Sequence, residues 1–514
     1  MNLSFWLAST PDTSYPFLEN DIKTDIAIIG GGFVGISCAY LLKKAGFNVV
    51  VLEADRIAKA TSGHTTAKIT SQHNLIYDKI IRQRGKEIAQ QYADANETAI
   101  KEIKKIADEY NIECDYVLQS AYVYTQEDKY IEQIEAETEA ASSLGINAHF
   151  LGEIPLPLKI KAAVRFDNQA QFHPRKYLLG LASTICGNGC QIYEKSRVVD
   201  LEESLNYTLT TAQGKKVTAQ KVIIASHYPF YNKSGFYFAR IYPERTYIIA
   251  IKAKENYPGG MYINVEQPAR SLRSQNSGLE ELILVVGDNH KTGQGEDTSL
   301  HYKALVEFAQ QIFTVEDIPF RWSTQDCMTL DGLPYVGCYI SDTPSLYVAT
   351  GFGKWGITNS MAAAMILRDL IVEGSSPWQE AFNPSRQTIL ASSKNFVIEN
   401  LNVAKHLVNG KVEGIIADSL ENTEIKPGEG KIVKIDGNRI GAFRDNQNKL
   451  HFVDTTCTHM GCELNWNSAE QSWDCPCHGS RFSYDGEVLE GPAVYPLTSE
   501  KETKTLSKLF KEEF

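Results

Sequence analysis

The side chains with the most evident chemistry lie close together near the C-terminus. Four of the ten cysteines fall between residues 457 and 477, and two histidines accompany them. They form the motifs Cys457-Thr-His459-Met-Gly-Cys462 and Cys475-Pro-Cys477-His478-Gly-Ser480. Thiolates and imidazoles bind zinc and iron–sulfur clusters. In a chain of 514 residues without a secretion signal, this density favours a metal centre over a disulfide framework.

Both motifs resemble the Rieske [2Fe–2S] pattern residue for residue. The resemblance implies that two cysteines hold one iron, that two histidines hold the other, and that the remaining cysteines form a disulfide bond. The implied ligands are Cys457, Cys475, His459 and His478, and the implied disulfide joins Cys462 to Cys477. The competing interpretation, a Cys2His2 zinc site, leaves the second cysteine pair unexplained.

Two neighbouring residues bear on the reduction potential that this resemblance implies. Ser480 matches a serine that donates a hydrogen bond to a bridging sulfide in respiratory-type Rieske proteins. Phe482 stands where those proteins carry a tyrosine that donates to a ligand thiolate, so we expect a lower potential here. The other histidines lack the spacing of a mononuclear iron site, which disfavours a ring-hydroxylating dioxygenase.

A second site is indicated near the N-terminus by Gly30-x-Gly32-x-x-Gly35, which follows an apolar strand pattern and opens a helical one. Glycines at this spacing let the backbone approach a pyrophosphate at the N-terminus of the helix. Glu53, at the end of the next strand, is the expected acceptor for ribose hydroxyls. The pattern predicts a dinucleotide-binding βαβ unit.

FAD is preferred over NAD because of two further segments, Arg56 to Lys68 and Thr350 to Gly356. With Asp331-Gly-Leu-Pro-Tyr-Val-Gly337, they resemble the D-amino-acid-oxidase and glycine-oxidase family, over about residues 20 to 375. The resemblance implies FAD, with the second glycine cluster against its isoalloxazine ring. The predicted FAD-binding residues are Gly30, Gly32, Phe33, Val34, Gly35, Glu53, Ala54, Arg56, Ser62, Gly63, His64, Thr65, Thr66, Val198, Ala225, Gly351, Gly353, Lys354, Trp355 and Gly356.

The resemblance also suggests four catalytic candidates. Arg273 and Arg245 lie where the family places an arginine for a substrate carboxylate, although each could be a solvated or structural arginine. Lys354 could stabilise the anionic reduced flavin or cap a turn, and His290 could line the pocket or simply be packed. His64 stands where related amine dehydrogenases carry a histidine joined covalently to the flavin. It could form that bond, contact the flavin without a bond, or have a structural role.

The predicted fold class is α/β, a Rossmann-like FAD-binding domain with an inserted β-rich substrate domain, followed by an all-β Rieske domain. We assign residues 1–385 to the oxidoreductase, 386–424 to a connection and 425–514 to the Rieske domain. Within the first, the FAD-binding parts are about 20–85, 170–230 and 325–375. The substrate domain takes up about 86–169 and 231–324.

Composition limits the partners. A net charge of −12 without a basic stripe argues against a nucleic-acid partner. Neither a secretion signal nor a transmembrane segment is expected, which favours a cytoplasmic location.

We expect a dehydrogenase that transfers hydride from a small amine, amino acid or related substrate to FAD. Single electrons are then expected to pass through the Rieske cluster to a one-electron acceptor protein or quinone. The alternatives are the reverse electron flow, from a donor through the cluster to the flavin, and a redox-responsive protein without turnover.

Overall fold

The computed structural model describes residues 3–231, 235–278, 280–295, 297–386, 393–413, 423–435 and 438–498. The chain divides into two compact units. The first unit comprises Met1–His227, Thr246–Asn289 and His301–Ala391, and the second comprises Tyr228–Arg245, His290–Leu300 and Ser392–Phe514. Residues 387–392 and 414–422 of the predicted connection, and 499–514 of the predicted Rieske domain, lie outside the described residues.

The described helices are mostly in the first unit, and none of them is both long enough and apolar enough to cross a membrane. The α-helices are α1 (Phe5–Ala8), α2 (Phe33–Lys44), α3 (Tyr77–Arg84), α4 (Lys86–Glu109), α5 (Ile131–Ser143), α6 (Pro174–Ile185), α7 (Ser299–Gln310), α8 (Gly356–Val372), α9 (Gln379–Phe382) and α10 (Ser393–Glu413). Short 3-10 helices occupy Thr61–Gly63, Asp128–Tyr130 and Tyr237–Ala239.

Strands form two large sheets and two small ones. Up to residue 211 they are β1 (Ile22–Ile29), β2 (Val49–Leu52), β3 (Lys68–Ile69), β4 (Val117–Thr125), β5 (Ala148–Leu151), β6 (Ala162–Gln171), β7 (Cys190–Tyr193), β8 (Val198–Glu203) and β9 (Tyr207–Thr211). They continue as β10 (Lys216–Ile224), β11 (Ile241–Ala253), β12 (Met261–Asn264), β13 (Arg270–Asn276), β14 (Glu281–Lys291), β15 (Val315–Thr329), β16 (Tyr335–Cys338) and β17 (Leu346–Thr350). The C-terminal strands are β18 (Gly430–Ile435), β19 (Asn438–Arg444), β20 (Leu450–Asp454), β21 (Asn465–Asn467), β22 (Ser472–Asp474), β23 (Arg481–Ser483) and β24 (Val488–Glu490).

The first large sheet has the order β16-β17-β10-β1-β2-β7, and β17, β10, β1, β2 and β7 run parallel. All four residues of β2 are buried, as are the last four of β1, because helices cover parallel sheets on both faces. The second large sheet, in the order β15-β11-β14-β13-β12-β4-β6-β3, is mainly antiparallel. This pairing of a Rossmann-like sheet with a sheet-rich region confirms the predicted fold class for the oxidoreductase part.

Two small antiparallel sheets form the C-terminal part of the second unit, in the orders β18-β19-β20 and β21-β22-β23-β24. Each has its own buried core. One core contains Val433, Ile440 and Phe452, and the other contains Trp473, Phe482 and the four motif cysteines. The all-β Rieske domain is therefore also confirmed.

Candidate cofactor sites

The glycine turn after β1 has the geometry of a pyrophosphate cradle. Gly30 has a φ of +111°, and a Cβ on it would lie 2.5 Å from the carbonyl oxygen of Ala225. A Cβ on Gly35 would overlap the Gly30 carbonyl oxygen, so α2 can follow β1 this closely only with glycine there. Gly32 is the N-cap of α2, and the N–H groups at the N-terminus of a helix can bind an anionic group. These contacts fit the phosphates of a dinucleotide.

Glu53 closes the cradle from the end of β2. Its side chain accepts hydrogen bonds from the backbone N–H groups of Gly31 (2.7 Å) and Asp55 (2.9 Å). Burial raises the pKa of Glu53, and these two donors oppose that shift. Because each carboxylate oxygen can accept a second hydrogen bond, Glu53 can still bind ribose hydroxyls.

The carbonyl groups of the segment from His64 to Ala67 are bound one after another by three side chains. Trp322 Nε1 donates to His64 O (2.9 Å), and Trp6 Nε1 donates to Thr65 O (2.7 Å). Arg273 Nη1 donates to Thr66 O (3.0 Å) and to Ala67 O (2.8 Å). A predicted flavin-binding segment is thus fixed by hydrogen bonds at four consecutive carbonyl groups.

The second glycine cluster connects β17 to α8. Gly351 and Gly353 have φ values of +74° and +55°, and Gly353 N donates to Cys327 O (3.0 Å). The ring of Trp355 stacks on that of His73, with centroids 5.2 Å apart. His73 is buried and bound to the Tyr92 hydroxyl (2.6 Å), and burial lowers its pKa to about 3. His73 therefore supports this loop as a neutral ring, a role that its isolated position in the sequence does not reveal.

Three other predicted FAD residues are placed as follows. Arg56 donates to Thr13 O (2.6 Å) and pairs with Asp12 (3.3 Å). Val198 is buried at the start of β8, and Ala225 N bonds to Ile29 O (2.9 Å) beside the cradle. Their contact with FAD remains a prediction.

The two cysteine–histidine motifs form a pair of matching loops in the second unit. In the first loop, Gly461 N donates to Cys457 O (2.9 Å), and in the second, Gly479 N donates to Cys475 O (3.0 Å). Cys462 and Cys477 join the loops by a disulfide bond. The rings of His459 and His478 lie next to each other, with centroids 5.0 Å apart.

The electrostatics of the loops suit metal ligation. Burial lowers the pKa of His459 to about 4 and that of His478 to about 3, so both rings are neutral at pH 7, as metal ligands must be. His478 Nδ1 is buried and makes no hydrogen bond within the described residues. A hydrogen bond with Cys475, together with the N–H groups of His459 and Met460, lowers the pKa of Cys457 to about 7. A [2Fe–2S] cluster would use this nitrogen and these thiolates.

Comparison with known families identifies both domains. The family model described as "FAD dependent oxidoreductase" matches residues 25–370. The chain belongs to this family. The model of the Rieske [2Fe-2S] domain matches residues 417–501, so this FAD-dependent oxidoreductase carries a Rieske domain, and its cofactors are FAD and a Rieske cluster.

Individual relatives agree with this assignment. The chain is 44% identical to YhfW of Bacillus subtilis (strain 168), named as a Rieske 2Fe-2S iron-sulfur protein, over 96% of each chain. It is 25% identical to γ-glutamylputrescine oxidoreductase of Escherichia coli (strain K12), over 72% of this chain and 88% of the relative. The crystal structure of glycine oxidase from Geobacillus kaustophilus superimposes with a TM-score of 0.60 at 17% identity, covering 71% of this chain and 99% of that one, which establishes a shared fold.

The four predicted catalytic residues of this oxidoreductase are divided between the units. Arg273 and Lys354 lie in the first unit, and Arg245 and His290 lie in the second. Arg245 pairs with Glu490 (3.1 Å), and His290 Nδ1 is 2.9 Å from Gln294 O. The structure therefore does not place the four in one compact unit.

Lys68 is a cation that the sequence-based prediction did not select, although it ends the quoted segment Arg56 to Lys68. Its Nζ donates to Ser271 Oγ (2.5 Å) and Tyr262 O (3.2 Å), and it makes no ion pair within the described residues. Desolvation and the positive charge of Arg273 lower the pKa of Lys68 to about 7. Arg273 is fully buried and engages only neutral acceptors. Two cations without a carboxylate partner indicate a place for an anionic group.

We predict that Phe482→Tyr raises the midpoint potential of the cluster. Phe482 is fully buried in β23. The resemblance to respiratory-type Rieske proteins implies that it stands where they carry a tyrosine. A new donor to a ligand thiolate favours the reduced, more negative cluster by about 1 kcal/mol, or roughly 40 mV for one electron. EPR-monitored redox titration measures the shift. Phe452→Tyr, at a buried position in the other small sheet, serves as the control, and equal potentials in all three proteins would refute the prediction.

Proposed function

We propose that this FAD-dependent oxidoreductase oxidises a small amine, amino acid or related substrate and passes the electrons one at a time through its Rieske domain to an external acceptor. One observation supports the proposal above all: the dinucleotide cradle and the two-loop cysteine–histidine site are both complete in a single chain. When bound, FAD accepts two electrons as a hydride and the cluster carries single electrons. The pair can therefore link two-electron to one-electron chemistry.

The substrate class is supported by the names of relatives. The Escherichia coli relative is named for γ-glutamylputrescine, and structural neighbours are named as glycine oxidase and L-proline dehydrogenase. All three names refer to substrates with an amine nitrogen. The external acceptor is proposed to be a one-electron carrier protein or a quinone.

Stopped-flow spectroscopy tests the direction of electron flow. On anaerobic mixing with a panel of amines and amino acids, we expect the flavin absorbance to bleach before the Rieske cluster becomes reduced. The reverse order, with reduction of the cluster by an added donor preceding that of the flavin, would favour reverse flow. If both centres titrate with dithionite but no substrate in the panel reduces either one, the redox-responsive alternative is favoured.

We further propose that Lys68 binds an anionic group of the substrate, such as a carboxylate. Four of the five N–H donors of Arg273 are engaged by Thr66 O, Ala67 O, Ser274 O and Gln275 Oε1. Lys68 uses only two of its three donors, and the residue is partly exposed. Lys68 is therefore better placed than Arg273 to bind a ligand directly.

For Lys68→Met we predict weaker binding of an unreactive carboxylate, acetate, measured from the change in flavin absorbance. Losing one charged hydrogen bond costs about 1.5–3 kcal/mol, or roughly 10- to 150-fold in Kd. Because the pKa of Lys68 is about 7, acetate should bind the wild type more tightly near pH ~6, where the ammonium form predominates, than near pH ~8. The variant should lose this dependence. Lys101→Met, which alters an exposed lysine of α4, is the control, and an unchanged affinity and pH profile in Lys68→Met would exclude Lys68.

A further inference from the structure

Two segments of the oxidoreductase sequence belong structurally to the Rieske unit. Residues 228–245 and 290–300 lie inside the family match of 25–370, yet they form one compact unit with 392–514. We call them the first and second docking segments. Residues 232–234 and 296 within them are not among the described residues. Their contacts with the Rieske loops are specific in shape, charge and ring geometry.

The second docking segment meets the second cluster loop backbone to backbone at Gly293. Gly293 has a φ of +72°. A Cβ on this residue would lie 2.6 Å from Pro476 N and 2.7 Å from the carbonyl carbon of Cys475. The Gly293 carbonyl accepts a hydrogen bond from Asn465 Nδ2 (2.8 Å), and Gln294 Nε2 donates to Pro476 O (3.2 Å). Only glycine allows this approach.

The first docking segment ends in Arg245, which is almost fully buried among acidic groups of the Rieske fold. Its guanidinium lies 3.1 Å from Glu490 and 3.7 Å from Glu470. Arg481, also buried, shares Glu490 (3.3 Å) and pairs with Asp474 (3.0 Å). Because Asp474 and Arg481 flank the loop from Cys475 to Ser480, Arg245 completes a buried charge network beside that loop. A network of this kind is stable only with all its partners present.

The first docking segment also covers a predicted cluster ligand. The ring of Phe238 meets that of His478 edge to face, with centroids 6.0 Å apart and an angle of 89° between the planes. His478 retains only 2% of its surface accessible. Part of the histidine side of the site is thus shielded by a residue from outside the Rieske sequence.

We propose that the docking segments are an integral part of the cluster-binding domain. In this arrangement Gly293 allows the loop from Cys475 to Ser480 to approach its backbone closely. Arg245 neutralises the acidic groups beside that loop, and Phe238 shields His478. The cluster-binding domain is then built from three stretches of chain, residues 228–245, 290–300 and 392–514, rather than from the C-terminal stretch alone. This inference does not depend on the substrate or on the direction of electron flow.

Full-length protein containing both cofactors tests the proposal through two variants that act by different means. Arg245→Met removes a charge, and Gly293→Val forces the backbones apart. In both, we expect amide hydrogen exchange to rise about tenfold or more in 228–245, 290–300 and 475–481, while iron is retained. In Arg245→Met, we also expect a lower midpoint potential, because the acidic groups that remain disfavour the reduced cluster.

Two further variants make the result specific. Arg386→Met removes a comparably buried ion pair, with Asp331 (2.8 Å), in the first unit, and it should leave the exchange of the docking segments and the cluster potential unchanged. Arg245→Lys keeps the charge and should retain most of the wild-type potential, even if Arg245→Met does not fold. Wild-type exchange in the docking segments of Gly293→Val, or a wild-type potential in Arg245→Met, would overturn the proposal.

Discussion

In the full-length protein, Cys475→Ser is expected to eliminate the iron and the Rieske EPR signal while one FAD per chain stays bound. The Cys475 thiol is buried and hydrogen-bonded to that of Cys457. Its loss leaves one iron without its complete pair of thiolate ligands. The FAD cradle lies in the other compact unit and has a separate hydrophobic core. The variant should therefore lose the cluster completely and retain its FAD.

Iron, acid-labile sulfide and flavin analysis under anaerobic conditions measures this outcome. The wild type should contain two irons and two sulfides per FAD, with the signal of a histidine-ligated cluster. Cys114→Ser, which alters a buried free cysteine of the first unit, should retain both cofactors. Stoichiometric zinc without iron in the wild type would contradict the Rieske assignment. Loss of flavin in Cys475→Ser would show that the two units fold as one.

The features that could be predicted from the sequence are those that depend only on residues close together in the chain. Gly30, Gly32 and Gly35 lie in one turn, and the close approach of the backbone that they allow depends on the conformation of a few residues. The Rieske ligands likewise occupy two short loops, so their spacing is visible directly. Local chemistry of this kind fixes the family, the fold class and both cofactors.

Features that depend on distant partners could not be predicted. The resemblance makes Arg245 a candidate for a substrate carboxylate or a structural arginine, and it does not indicate that the observed partner, Glu490, lies 245 residues further along the chain. Arg386, the first residue of the predicted connection, is buried against Asp331 in the first unit. Periodicity describes which face of an element is buried, but it does not identify what that face packs against.

Lys68 illustrates a different limit. It ends the predicted flavin-binding segment Arg56 to Lys68, yet a lysine read from the sequence alone is usually a solvated cation. Its unusual state arises from residues of β12 and β13, where Tyr262 O and Ser271 Oγ accept its hydrogen bonds and no carboxylate pairs with it. A pKa near 7 is a property of that surrounding sheet.

The route by which electrons leave the protein provides the second large expected effect. In Cys475→Ser, substrate should still reduce the flavin at close to the wild-type rate, while reduction of a one-electron carrier such as a cytochrome falls roughly a hundredfold or more. Within one chain the two cofactor sites have a high effective concentration, and removing the cluster leaves only collisional transfer to the carrier. Reoxidation should then depend on oxygen or on a two-electron dye.

A point variant is preferable to deletion of residues 411–514 for this test. Deletion would remove Glu490 and Glu470, two ion-pair partners of the buried Arg245, so a lost activity could reflect damage to the docking segments instead of loss of the cluster. Cys475→Ser keeps those ion pairs, and Cys114→Ser controls for the loss of a buried thiol. If Cys475→Ser reduced the cytochrome as fast as the wild type, the cluster would not be the exit route, and reverse flow or redox sensing would account better for its presence.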